Sequence, residues 1–183
     1  MVRSFSPVEL SKNGKVAYQR SNYQTAAQLF NEARQYYIDI GDDLNAAEMA
    51  NNCAVAFLHL GEAETALKLI QGTDQIFERA HDQCRQGMAL GNLATAFESL
   101  DRFEEAIEVY KQSAKLLHEA GEDQLQADVM RSLSSLQLRM GQQLQALISL
   151  QVGLENIRHP NPTQRLTKKL LHVPFDFLNK NIS

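Results

Sequence analysis

Two asparagines, Asn52 and Asn92, stand forty residues apart, each with an alanine two residues later. A primary amide donates and accepts hydrogen bonds together. Two of them in register could hold the backbone of an extended or helical peptide, whatever its side chains. The alternative is that each simply bonds a neighbouring helix or water. Gly91 precedes Asn92 and lies four residues after Gly87, a GxxxG spacing. Glycine inside a helix costs about 1 kcal/mol relative to alanine. Tight helix packing explains it, and so does a shallow spot where a ligand approaches. Arg131 and Arg139 could anchor a carboxylate, or be ordinary solvated arginines.

The rest of the polar inventory offers no reaction. The histidines are 59, 81, 118, 159 and 172, with no close pair at metal-ligand spacing. HExxH, a Walker loop, GxSxG and GxGxxG are all missing from the sequence. Cys53 and Cys84 are far apart, and Cys53 shares a column with Leu93 and Leu133. It reads as a small buried hydrophobe. The sequence therefore predicts no catalytic residue, no metal and no cofactor.

The chemistry-bearing residues are positioned by a repeat. Ala26, Ala66, Ala106 and Ala146 recur every forty residues, as do Phe30, Ile70, Tyr110 and Leu150. Leu90, Leu93, Phe97 and Leu100 align with Ala50, Cys53, Phe57 and Leu60, and with Met130, Leu133, Gln137 and Met140. Steps of three and four place each set on one helical face. Helix pairs are expected at about 7–20 with 22–40, 44–60 with 62–80, 84–100 with 102–120, and 124–140 with 142–158. Asp101 with Glu104 reads as a helix start, and so does Ser6-Pro7 with Glu9. Gly61 and Gly141 stand at the breaks equivalent to Asp101, and His81 sits where Gly41 and Gly121 do, as a turn residue. Only a small side chain fits where the helices of a pair approach closely, which explains the alanine column.

The composition is ordinary for a soluble protein. The chain has 183 residues, 44% hydrophobic and 22% charged, enough apolar material for a continuous core. Its net charge of −4 argues against nucleic acid, which favours a clustered basic face. No apolar run approaches a membrane span, and the N-terminus lacks an apolar h-region. With only two cysteines, the chain reads as cytoplasmic.

Asn92-Leu93-Ala94, Phe97, Phe103, Ala106, Tyr110 and Ala114 resemble the tetratricopeptide repeat (TPR) consensus. Asn52-Cys53-Ala54, Phe57, Gly61 and Ala66 repeat the pattern, as do Leu133-Ser134, Gly141 and Ala146, and more loosely Gly14, Tyr23, Ala26, Phe30 and Ala33. The period of forty exceeds the common TPR length of about 34 residues. It resembles the long-helix variety of kinesin light chains, LGN-type adaptors and bacterial regulators. The resemblance implies an all-α fold, a right-handed α-solenoid of four hairpins, at about 7–40, 44–80, 84–120 and 124–158. Residues 159–183 would add a capping helix and an apolar tail.

In such a stack the first helix of each pair lines the concave face. That face would hold Ser11, Lys15, Tyr18 and Gln19, then Glu48, Asn51, Asn52, Val55 and His59. It would continue through Met88, Gly91, Asn92, Thr95 and Ser99 to Asp128, Arg131, Ser132, Ser135 and Arg139. Asparagines placed like Asn52 and Asn92 hold peptides in TPR proteins that bind them. The resemblance thus implies a non-enzymatic scaffold or adaptor whose partner is a protein or peptide. The carboxylate clamp of chaperone adaptors is a poor match. Its positions fall on Ser11, Lys15, Asn52, Met88 and Asn92, where only Asn52 agrees. One repeat further they fall on Asn51, Val55, Asn92, Asp128 and Ser132, where only Asn92 agrees.

After 158 the repeat stops. Asn161, Pro162 and Gln164 look like a helix start, and Leu166, Leu170 and Leu171 form an apolar stripe suited to capping the last repeat. The segment Val173-Pro174-Phe175-Asp176-Phe177-Leu178 is unusually apolar for a terminus. It could fold back on repeat four, enter the groove, or join copies into a homo-oligomer. That last possibility makes self-assembly the alternative function.

Overall fold

The computed structural model describes residues 5–155, 157 and 160–170. The described residues contain helices and turns and no strand. In order these are α1 (Pro7–Gln19), α2 (Tyr23–Asp39), α3 (Asp43–His59), α4 (Ala63–Ile70), α5 (Thr73–Arg79), α6 (Gln83–Ser99), α7 (Phe103–Glu119), α8 (Asp123–Arg139) and α9 (Gln143–Glu155). A further helix, α10, covers 162–170. Apart from α4 and α5, consecutive helices from α1 to α9 pack against one another, as in a solenoid of hairpins.

Local chemistry sets the helix edges. Ser6 and Glu9 form a reciprocal capping box ahead of Pro7. Asn22, Asp42 and Asp82 each accept from the backbone N–H three residues on. Asp101 behaves differently from the expected N-cap. Its φ is +57°, matching Gly61 at +77° and Gly141 at +73°, and Arg102 is the N-cap residue. The turn demands a left-handed residue there, and aspartate tolerates that conformation better than most. His81 does the same at φ +56°. The helices close by paired backbone bonds, such as Gly41 N–H to Ile38 O and Asp42 N–H to Tyr37 O.

The sequence predicts one helix over 62–80, and the structure splits it. Gln71 leaves the helical region, Gly72 follows at φ +84°, and α5 starts afresh at Thr73. Thr73 Oγ1 donates to Ile70 O at 2.8 Å and accepts from Asn51 Nδ2 at 2.9 Å. Phe77 of α5 packs with Ala47 and Ala89.

The alanine column is buried throughout: Ala26, Ala66 and Ala106 are 0% exposed and Ala146 is 1%. One core joins Leu10, Ala26, Phe30, Met49 and Cys53, and another joins Ala94, Ala106, Tyr110, Met130 and Leu133. Repeat four departs inside. Gln137 replaces Phe57 and Phe97, and Ser149 donates to its Oε1 at 2.7 Å. Ser134 Oγ donates to Ala146 O at 2.8 Å.

Helix α10 begins with the expected Asn161–Gln164 box. It meets repeat four through polar contacts, Gln164 with Gln124 and Lys168 with Glu155 O. Its leucines turn outward, with Leu166 and Leu170 well exposed. Among the described residues, these contacts of the helix with repeat four are polar, and Leu166 and Leu170 of the expected apolar stripe face away from it. Leu171 and the segment 173–178 lie outside the described residues.

Candidate functional site: the concave cleft of repeats three and four

The first helices α6 and α8 flank two adjoining cavities of about 310 and 430 Å³. They share Thr95, Tyr110 and Ser132. Met88, Gly91, Asn92 and Thr95 line the α6 side, and Asp128, Arg131, Ser132, Ser135 and Arg139 the α8 side. Leu117, Leu125 and Val129 give the first cavity an apolar part. Each wall is a single helical face, so residues at i, i+3, i+4 and i+7 meet in one groove.

Two glycines bring α6 close to α7. A Cβ on Gly87 would lie 2.8 Å from Leu117 Cγ, and Ser113 Oγ donates to Gly87 O at 2.7 Å. A Cβ on Gly91 would meet Ser113 Oγ at 3.2 Å and Val129 Cγ2 at 3.4 Å. Gly91 is therefore a packing residue that also borders the cavity.

The floor is a hydrogen-bonded relay. The Tyr110 hydroxyl lies 3.0 Å from Thr95 Oγ1 and donates to Glu98 Oε2 at 2.9 Å. Arg139 Nη1 reaches the other Glu98 oxygen at 2.6 Å. Burial, first of all, pushes the Tyr110 phenol well above its ordinary range, so it remains a donor. Arg131 pairs with Asp128 at 2.9 Å. Both arginines considered as carboxylate anchors thus already hold acids of the same face. Towards the N-terminus, Glu48 lies 3.8 Å from Lys15 and 3.6 Å from Arg85. The concave wall is laced with opposite charges.

The repeat-two residues behave less uniformly. Asn51 lies in the core, 8% exposed, with its amide on Ala47 O and Thr73 Oγ1. It is a structural residue and not a groove residue, because α5 covers it. Asn52 is half-buried, and its Nδ2 is buried without an acceptor. Val55 is half-buried. His59 lies at the junction with repeat one, its Nε2 2.8 Å from the Tyr18 hydroxyl and its ring stacked on Tyr23 at 4.4 Å. None of these four lines the two cavities. Sequence reasoning passed over Glu98 and read Tyr110 only as core. The available signal was the column Leu58, Glu98, Leu138, where a lone acid stands between leucines.

Among the described residues no group of three or more His, Cys, Asp and Glu side chains is placed to hold a metal. None of the described helices is long and apolar enough to cross a membrane.

The geometry defines a class: an α-solenoid of helix hairpins with a concave cleft. The tetratricopeptide repeat family model matches residues 85–158, so that stretch is similar to tetratricopeptide repeats. Solved structures share its fold at low identity. BtubC (BKLC) from P. vanneervenii is 17% identical, with a TM-score of 0.71, covering 88% of this chain and 70% of that one. The nearly identical TPR-like repeats of a candidate kinesin light chain from Podosopora anserina are 14% identical, with a TM-score of 0.73, covering 98% and 90%. No curated protein matches the sequence.

Proposed function

We propose that this protein is a non-enzymatic scaffold that binds a peptide or protein segment in the concave cleft between α6 and α8. The supporting observation is the cleft itself. Asn92, Thr95, Ser132 and Ser135 offer neutral donors and acceptors beside apolar Val129 and Leu125. That mixture suits a peptide backbone with an apolar side chain. Both arginines of the walls are already paired, Arg139 with Glu98 and Arg131 with Asp128, so the ligand is an uncharged segment rather than a carboxylate terminus. The four hairpins act as the binding unit, residues 159–183 are an appendage, and the setting is cytoplasmic.

The test starts from a displayed peptide library selected on the immobilised full chain. Affinities of the selected peptides are then compared for the wild type and for Asn92→Ala with Ser132→Ala. A loss of about tenfold or more, equal to about 1.4 kcal/mol, is expected. Unchanged affinity with unchanged melting would remove the cleft as the binding site.

A further inference from the structure

Three sequence columns on the outer face of the second helices change character in repeat four. The first reads Gln24, Glu64, Glu104, Leu144, and the second Gln28, Lys68, Glu108, Ile148. The third reads Glu32, Gly72, Gln112, Val152. Apart from Gly72, which stands at the break between α4 and α5, the side chains at these places in repeats one to three are polar and exposed. In repeat four they are aliphatic and still exposed: Leu144 at 60%, Ile148 at 47% and Val152 at 37%.

This stripe is not the raw end left by an absent fifth repeat. Stacking uses another face, on which Tyr110 and Ala114 of α7 share a core with Met130 and Leu133 of α8. Their counterparts in α9, Leu150 and Leu154, pack with Ala127. At about 100° per residue those positions point away from Ile148.

The charge pattern says what covers it. Glu155 is the only ionised side chain in α9, whereas α7 carries Glu104, Glu105, Glu108, Lys111, Lys115 and Glu119. A foreign charged helix would be chosen by complementary charges along the rim. The residues flanking the stripe, about 60° to either side of it, are glutamines, Gln145 and Gln151, and Glu155 stands at its far end, away from Ile148. A two-fold pairing sets each residue against its own helix, where any charge near the axis meets its like. A neutral rim suits that arrangement. The spacing is also symmetric, with Leu144 and Val152 four residues either side of Ile148.

We infer that the outer face of α9 joins two copies of this chain, antiparallel about a two-fold axis at Ile148. Leu144 of each copy packs on Val152 of the other, over a stripe about 12 Å long.

Sedimentation velocity on the full chain tests this over a wide concentration range. The wild type should form a dimer that dissociates on dilution. Leu144→Glu with Ile148→Glu installs the residues that repeat three carries at 104 and 108, and should give a monomer with unaltered helical circular dichroism. Independently, Ile148→Cys in a Cys84→Ser background should form a disulfide-linked dimer under mild oxidation, and Glu108→Cys should not. A wild type monomeric throughout, a dimer surviving the double substitution, or failure of Ile148→Cys to cross-link would each overturn the inference. So would a dimer abolished by truncation after Leu170 while untouched by the α9 changes.

Discussion

Tyr110 of α7 and Arg139 of α8 hold opposite oxygens of one carboxylate, that of Glu98 on α6. Three helices from two repeats are thereby tied at the floor of the cleft. Tyr110→Phe keeps the ring and removes one charge-assisted bond, for which about 1.5–3 kcal/mol is typical. Glu98 retains Arg139 and some solvent, so a loss near about 1.5 kcal/mol is expected in urea unfolding. A change within error would mean that the relay contributes nothing to holding repeats three and four together.

The buried alanines make a sharper forecast. Ala106 has no exposed surface, so Ala106→Leu must spread α6 and α7, at a cost of about 1–3 kcal/mol or more. Glu108→Leu, on the exposed side of the same helix, should shift stability by about 0.5 kcal/mol or less. Thermal melts of the two variants should separate clearly, and equal midpoints would contradict the packing.

The helix break gives a third. Nothing lies within 4 Å of a Cβ built on Gly72, so only its left-handed backbone resists a side chain. Gly72→Ala should cost about 1–2 kcal/mol, and Gly72→Asn less, because asparagine tolerates this region. Both are read from melting temperatures, and a stabilised Gly72→Ala would mean that α4 and α5 merge into one helix.

Alkaline stability follows from Cys53. Burial pushes its thiol up to about 11, from an ordinary value near 9. Between those pH values the unfolded chain releases the proton and the folded chain keeps it. Stability from this group is whole below about pH 9, falls through the interval, and levels off above about 11. Urea titrations from pH 8 to 11 should show that decline, and Cys53→Ala should make it shallower, leaving the share of the buried Tyr110 phenol. A slope identical in the variant would assign the decline elsewhere.

The architecture was legible because it is written in spacing. Alanine at four equivalent places, with apolar steps of three and four, leaves one way to pair the helices. Much of the cleft was legible too: Met88, Gly91, Asn92, Thr95, Arg131, Ser135 and Arg139 all border it. Asn51 was misplaced for a traceable reason. Its burial depends on α5, and α5 depends on Gly72, a single glycine whose cost of about 1 kcal/mol looks tolerable within a helix pattern. Once the chain breaks there, Thr73 comes within 2.9 Å of the Asn51 amide. The ion pairs were illegible for another reason. Glu98 and Arg139 are forty-one residues apart, and their contact exists only after two hairpins have stacked.

The two larger cores have no buried residue in common. One ends at Ala56 and the other begins at Ala94, with smaller clusters around Ile70 and Phe77 between them. A guest seated between α6 and α8 would therefore slow amide exchange in the C-terminal half while α1 and α2 went on opening at their own pace. Occupancy of such a molecule is a local tightening, to be sought in peptide-resolved exchange rather than in a single melting curve.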